Sequence, residues 1–333
     1  MRGCPYGGYF SSVSSTLPWA QRTGNLTLRP HSVVHSIIFD EQNGKASGVR
    51  IIDALSGEVI EYHSRIIFLN ASALNTNLIL LNSTSSRFPN GLGNDSGLLG
   101  KFVAFHNYRA GVNGELDKFP DQYYFGRNPS EPIIANYRNI GKQEMDYVGG
   151  FATFTGASRK QGNEQKVEQA CGAALKRAVS TPGPWSIYMY MQGETIPKES
   201  NQVRLSKTRT DQWGIPLLEI DVAYDDNDER MIRDFTEQSL AMLEAAGCTS
   251  LSSYDTKQAP GLDIHEMGGC RMGHDPKRSL LNSTNQLHQC KNVFVTDGAC
   301  MTSTGNQSPS ILYMALTARA VHHALSEMRK NSL

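Results

Sequence analysis

Asp263-Ile264-His265-Glu266-Met267-Gly268-Gly269-Cys270-Arg271-Met272-Gly273 is the stretch on which the reading of this chain turns. A histidine stands three positions ahead of a Gly-Gly pair, and Arg-Met-Gly follows. Downstream, Asn292-Val293-Phe294-Val295-Thr296 has the apolar run of a short buried strand and ends on Asp297-Gly298. Farther on, Gly305-Asn306-Gln307-Ser308-Pro309-Ser310 leads straight into an apolar helix expected from Pro309 to Met328. Ser308 before Pro309 reads as an N-cap followed by proline at the first helical position. That helix repeats Ile311, Met314, Ala315, Ala318, Val321 and Leu325, a 3.6-residue period suited to close packing under a sheet. Each motif alone is weak, and their order and spacing carry the weight.

His265 admits two plain readings. It is either a core histidine satisfied by backbone groups or a base working near neutral pH. A metal site is a poor third. His265, Cys270, His274, His288 and Cys290 crowd this region, yet no two of them match the paired spacings of a zinc site.

Taken in order, these motifs resemble the C-terminal signature of the glucose-methanol-choline (GMC) flavoprotein oxidoreductases. The resemblance runs from about Tyr9 to the end of the chain and is strongest after Leu262. It implies FAD as cofactor and oxidation of a CH–OH group of an alcohol, polyol or sugar. His265 matches the family's histidine beside the flavin, which takes the hydroxyl proton while hydride leaves for the ring. The second catalytic residue, just before the last helix, matches Ser308 in one alignment and Asn306 in another. Asn306 is preferred, because serine lacks the reach and the amide donor. For Ser308 the reading as a plain cap stays open. The resemblance also implies that Asp297 and Gly298 approach the cofactor's ribityl–pyrophosphate region, and that Ser308, Pro309 and Ser310 contact the cofactor at the opening of a helix whose positive end faces the flavin. Val33 or Val34 matches the position whose backbone meets the adenine, with simple core packing as the equal alternative. Asn70 and Ala71 match the stretch where the chain passes the cofactor. The Gly-Gly-x-Arg-Met-Gly variant is most similar to sugar- and polyol-oxidising bacterial relatives.

The chemistry agrees with the resemblance. A positioned base contributes roughly 10²–10⁴-fold to removal of an O–H proton. No amino-acid side chain accepts a hydride, so a cofactor must. A helix N-terminus, equivalent to about +0.5 charge, stabilises the negative edge of a reduced flavin. Gly268 and Gly269 read as permitting close cofactor approach.

The expected fold is α/β (α+β): a partial Rossmann-like FAD-binding domain plus an antiparallel-sheet substrate domain. Residues 1–105 form the first part of the FAD-binding domain, 106–255 the substrate domain, and 256–333 the C-terminal part with the catalytic residues. A chain of 333 residues is longer than one compact core usually holds. Asn25 to Arg29, Ser32 to Phe39, Lys45 to Ala54 and Glu58 to Leu69 read as strands, with turns at Asn43-Gly44 and Ser56-Gly57. Leu74 to Leu81 reads as a helix and the glycine-rich 87–100 as a surface loop. Trp185 to Met191, Val203 to Leu205 and Pro216 to Val222 read as strands of one antiparallel sheet, and Asp228 to Ala246 as an amphipathic helix. Tyr123, Tyr124, Phe125, Phe151 and Phe154 are candidates to line a sugar site, or else sheet core.

Lys and Arg number 32 against 32 Asp and Glu, which argues against a nucleic-acid partner. No apolar run reaches the ~18 residues of a membrane span. The six cysteines follow no framework pattern, so free thiols are expected. No G-x-G-x-x-G follows a strand and opens a helix, although the family carries that motif near its N-terminus. FAD binding is therefore expected to need a separate N-terminal polypeptide or an upstream segment. Localisation is expected in cytoplasm or periplasm, any targeting signal lying in that segment. The electron acceptor is oxygen, a quinone or a cytochrome. The competing class is a non-catalytic fragment or carbohydrate-binding module. A hydrolase ranks far lower, since no G-x-S-x-G elbow is present.

Overall fold

Alternating apolar residues folded back through two glycine turns make the first sheet. The computed structural model describes residues 8–119, 122, 131–161, 170–262 and 264–330. Ser32–Asp40 (β1), Lys45–Asp53 (β2) and Val59–His63 (β3) form an antiparallel meander. Gly44 and Gly57 sit at φ 63° and 76°, the left-handed region that tight turns demand. Two expectations fail here. Residues 25–29 form no strand, and the run expected from Glu58 to Leu69 breaks after His63. The second half restarts as Ile67–Leu69 (β4), which leaves the meander and pairs in parallel with a strand over 220 residues away in sequence. Local alternation does not reveal that change of partner.

Helix Ala73–Asn82 follows β4, in agreement with the sequence reading. After the 87–100 loop come Lys101–Ala104 (β5), His106–Asn107 (β6) and Ala110–Leu116 (β7). Ile133–Ile134 (β8), Phe151–Gln161 (β9) and Pro182–Glu194 (β10) complete most of a six-stranded antiparallel sheet. Its order is β13-β7-β10-β9-β8, with β6 paired to the end of β10 and Thr249–Asp255 as β13. Gln202–Thr210 (β11) and Pro216–Asp221 (β12) do not join it, contrary to expectation. They lie in a four-stranded sheet of order β12-β11-β5-β14, where Met267–Gly269 is β14. Gln286–Leu287 (β15) and Cys290–Val295 (β16) complete the third group, β15-β16-β4.

The largest core gathers Leu69, Ala73, Leu80, Met267, Val293, Val295 and Leu316, with Val34 packed against it. A separate core forms where helix Asp226–Ala245 lies on the six-stranded sheet, around Met191, Met231, Ile232, Phe235 and Phe151. Phe151 is therefore sheet core, 1% exposed and edge-on to Phe235 at 5.6 Å. Tyr123, Tyr124 and Phe125, and also Cys4 and Asp263, lie outside the described residues. The five described cysteines are free. Among the described residues no helix is long and apolar enough to cross a membrane, and no group of three His, Cys, Asp or Glu is placed to hold a metal ion.

Asp225 caps helix Asp226–Ala245, accepting from the Asn227 and Asp228 amides, while the Asp228 carboxylate accepts from the Asp225 amide at 3.0 Å. Asp228 is 2% exposed, and burial raises its carboxyl to about 7. An unfolded aspartate titrates near ~3.9. Between those values the folded chain holds more protons than the unfolded one. This group's contribution is therefore lost as pH rises through that window, with a slope up to ~1.4 kcal/mol per pH unit. Asp228→Asn is expected to flatten that slope. Urea midpoints from about pH 4 to about pH 7.5 read it, and an unchanged slope refutes the assignment.

The last helix, Ser310–Arg329, contains the clearest departure from expectation. The stripe expected to be buried faces outward: Ile311 is 78% exposed, Met314 49%, Val321 39% and Leu325 50%. The buried face is Leu316, Ala320 and Ala324. The two alanines pack with Phe294, which stacks on Phe68 at 4.8 Å. Small side chains at i and i+4 let the helix lie close on β16, and that geometry outweighs the greater apolar area of the other stripe.

Candidate active site

Register brings two histidines together. In the antiparallel pair β5·β14, Met267 lies opposite Ala104. Two residues along each chain from that pair, on the same side of the ladder, stand His265 and His106. Their Nδ1 atoms are 2.8 Å apart, with the rings edge to face. The Gly-Gly pair makes this register possible. A Cβ on Gly268 would stand 2.2 Å from the Phe102 carbonyl oxygen, and one on Gly269 would stand 2.3 Å from the Asn77 amide. These glycines are thus explained by backbone and helix contacts within the chain, and the expected cofactor approach is not needed to account for them. His265 itself takes φ 68°, a left-handed conformation that costs a non-glycine residue about 1–3 kcal/mol and recurs at functional sites.

His106 is fully buried, and its Nε2 lies 3.1 Å from the Gly305 carbonyl oxygen. It therefore joins the His265 loop to the turn before the last helix. Burial, and secondarily the neighbouring His265, push its imidazole down to about 4. Burial also lowers His265, with Glu266 opposing. The sequence reading missed His106. The available signal was a lone histidine in the apolar run Val103-Ala104-Phe105-His106, which by itself suggests no more than core.

Asn306 is buried. Its backbone carbonyl accepts from the Gln192 amide at 3.2 Å, and its side-chain oxygen accepts from Gln307. Gln192 in turn accepts from the Tyr108 hydroxyl. Ser308 is exposed. Both line a cavity of about 190 Å³ between this turn and the six-stranded sheet, with Phe154, Ile133 and Asn136 opposite. Phe154 stacks on Tyr190 at 5.3 Å, and the Tyr188 and Tyr190 hydroxyls donate to the two oxygens of Glu131 at 2.8 and 2.6 Å. Of the aromatics proposed from sequence, Phe154 reaches the cavity.

Asn70 and Ala71 follow β4, and Asp297 and Gly298 follow shortly after β16. The parallel pairing Leu69↔Val295 sets all four at the carboxyl ends of parallel strands. Ligands of open α/β sheets bind at such ends. Asn70 is exposed and accepts from the Thr296 hydroxyl at 2.7 Å. The Asp297 carboxylate is committed internally. It accepts from the Thr76 hydroxyl at 2.6 Å and from the Ala299 amide at 2.9 Å, and burial raises its pKa against those bonds. A Cβ on Gly298 would stand 2.3 Å from the Glu266 carbonyl, so that glycine is required by the approach of the His265 loop. Val33 and Val34 lie on β1, opposite Ile52 and Ile51, and Val34 packs against the main core.

The last helix starts one residue later than expected. Pro309 occupies the N-cap position and Ser308 makes no cap, so no side-chain oxygen covers the first turn. The first N–H groups of an α-helix have no intrahelical acceptor. Those of this helix open beside the Asn306 turn, and they fit an anionic edge such as a flavin presents.

Comparison with known proteins gives the family. Two GMC oxidoreductase family models match, the N-terminal one at residues 1–106 and the C-terminal one at 197–317. The chain belongs to the GMC oxidoreductase family, whose cofactor is FAD. It is 27% identical to a 2-methyl-1,2-propanediol dehydrogenase of Mycolicibacterium austroafricanum, covering 96% of this chain and 58% of that protein. It is 23% identical to the fructose dehydrogenase large subunit of Gluconobacter japonicus, covering 98% of this chain and 58% of the other. Formate oxidase of Aspergillus oryzae RIB40 shares its fold, with a TM-score of 0.65 at 15% identity over 94% of this chain and 63% of that one. The chain thus spans a little under three fifths of the length of these curated relatives.

Proposed function

We propose that this chain carries the catalytic portion of an FAD-dependent oxidoreductase acting on a CH–OH group of a small alcohol, polyol or sugar. The observation that carries the reading is the convergence of His265 and the Gly305–Ser308 turn on one buried imidazole, while Asn306 and Ser308 of that same turn, and neither histidine, line the cavity. His265 is the base that takes the substrate's hydroxyl proton, and burial keeps it neutral and able to accept at physiological pH. Asn306 is the amide that holds the substrate oxygen. Ser308, exposed on the same cavity wall, is a weaker choice because its hydroxyl is shorter. Bound FAD supplies the acceptor for the hydride leaving the carbinol carbon. Asn70, Ala71, Gly298, the backbone at Asp297, whose carboxylate is held by Thr76 and Ala299, and the turn from Ser308 to Ser310 would hold it, with Val33 or Val34 toward its adenine.

Two relatives are named for a propanediol and for fructose, which points toward hydroxyl-rich substrates here. The cavity of about 190 Å³ at the Asn306 turn is smaller than the ~300–1,000 Å³ of sites for drug-sized ligands, a size for part of a small hydroxyl-rich molecule. The test is anaerobic, because oxygen is one of three acceptors in play. FAD-loaded enzyme is mixed with a panel of diols, polyols, aldoses and ketoses, and at least one is expected to bleach the flavin absorbance. If none does, the CH–OH reading is wrong. Binding of a sugar without bleaching supports a non-catalytic module instead.

A further inference from the structure

The two-histidine contact assigns a tautomer, and through it a role to His106. The Gly305 carbonyl can only accept, so His106 Nε2, 3.1 Å away, carries a hydrogen. His106 is fully buried, so it stays neutral, and a neutral imidazole bears one N–H. Its Nδ1 is therefore bare and accepts. The atom facing it at 2.8 Å, His265 Nδ1, must then donate. That leaves the proton-accepting capacity of neutral His265 on Nε2.

We propose that His106 is a positioning residue that holds His265 in the Nδ1–H tautomer, making Nε2 the atom that receives the substrate's hydroxyl proton. This rests on the reading of His265 as base. In that step the substrate O–H bond breaks, an Nε2–H bond forms, and the oxygen keeps the electron pair. His265 then becomes an imidazolium whose Nδ1–H still donates to a neutral partner, a charge-assisted bond stronger than the one before transfer. The titratable groups around the pair are Tyr108, whose ring lies 6.0 Å from His106 and 6.3 Å from His265, Glu194, the register partner of His106 across β10, and Glu266. Without His106 the ring of His265 is free to rotate or to carry its hydrogen on Nε2, where it cannot act as a base. An orienting residue of this type matters a great deal: in the serine-protease triad, loss of the group that fixes the histidine tautomer lowers kcat by ~10⁴.

The first test needs no cofactor. The full chain is labelled with ¹⁵N-histidine and its imidazole nitrogens are assigned by NMR at a pH above neutrality. His265 is expected as Nδ1–H and His106 as Nε2–H. His265 found mainly as Nε2–H overturns the proposal, and wild-type protein alone decides this point. His106→Phe is expected to shift His265 toward Nε2–H, while His106→Gln, with an amide N–H for Gly305 and an oxygen for His265, is expected to retain Nδ1–H. Retention of Nδ1–H in His106→Phe also overturns it. In FAD-loaded enzyme, His106→Phe is expected to slow flavin reduction at saturating substrate by ~10²-fold or more, with substrate affinity little changed and partial rescue by His106→Gln. If the tautomer is as stated but His265→Ala reduces flavin normally, the base assignment falls and the tautomer lock stands.

Discussion

Replacing His265 with alanine is expected to slow reduction of bound FAD by substrate ~10²–10⁴-fold, the range that a positioned general base contributes. On the proposed roles the loss should fall on the reduction step rather than on binding, because the ring would act on the proton in transfer while Asn306 kept its hold on the oxygen. The pH profile adds a sign. Burial lowers the His265 pKa below its ordinary value, so the wild-type rate should rise with pH through an apparent pKa under 6.5 and then level off. His106 does not add a second ascending limb near neutrality, since its imidazole titrates near 4. Stopped-flow reduction under anaerobic conditions measures both. A loss under about tenfold, or a rate that falls as pH rises across that range, excludes His265 as the base.

How much of this was legible in the sequence differs from element to element. The His265 motif, the strand ending at Val295 and the helix Asp226–Ala245 are local patterns, and local patterns are what spacing rules detect. The β1–β3 meander was legible for the same reason, down to the turns at Gly44 and Gly57, although residues 25–29 form no strand and the run expected to reach Leu69 breaks after His63. The partners of β4, β11 and β12 were not, because local alternation carries no information about which strand lies alongside, and three further features were hidden as well. His106 gains its meaning from a contact with His265 across 159 positions, and nothing around it distinguishes it from a core histidine. The roles of Gly268 and Gly269 came out differently because the atoms that exclude a side chain, Phe102 and Asn77, arrive from distant segments. The last helix has two apolar stripes, and a periodicity count favours the one with larger side chains. Contact with Phe294 chose the alanine stripe instead, because close approach of helix and strand depends on small residues.

That choice leaves Ile311, Met314, Val321 and Leu325 on the outside of the very helix whose N-terminus adjoins the Asn306 turn. The solvent face of a surface helix normally carries charged and polar residues. The sheet beneath is equally open, since among the described residues β4 ends the order β15-β16-β4 with an unpaired edge. A strand–turn–helix unit added to β4 would cover both features and bring what these residues lack, a glycine-rich turn whose amides cradle a pyrophosphate. Fully burying four such side chains is worth roughly 1.5–3 kcal/mol each, comparable with the ~5–15 kcal/mol stability of a whole domain. We therefore expect these 333 residues, purified alone, to hold far less than stoichiometric FAD. Supplying a polypeptide with a strand, a G-x-G-x-x-G turn and a helix should restore flavin absorbance and raise the melting temperature together, because a ligand that binds only the assembled fold stabilises it by mass action. Ile311→Asp with Leu325→Asp should block that rescue while leaving His265 and its partners untouched. The decisive observation is the colour of the isolated chain: one tightly bound flavin per molecule without any added segment would mean that the exposed helix face is ordinary surface and the FAD site is already whole.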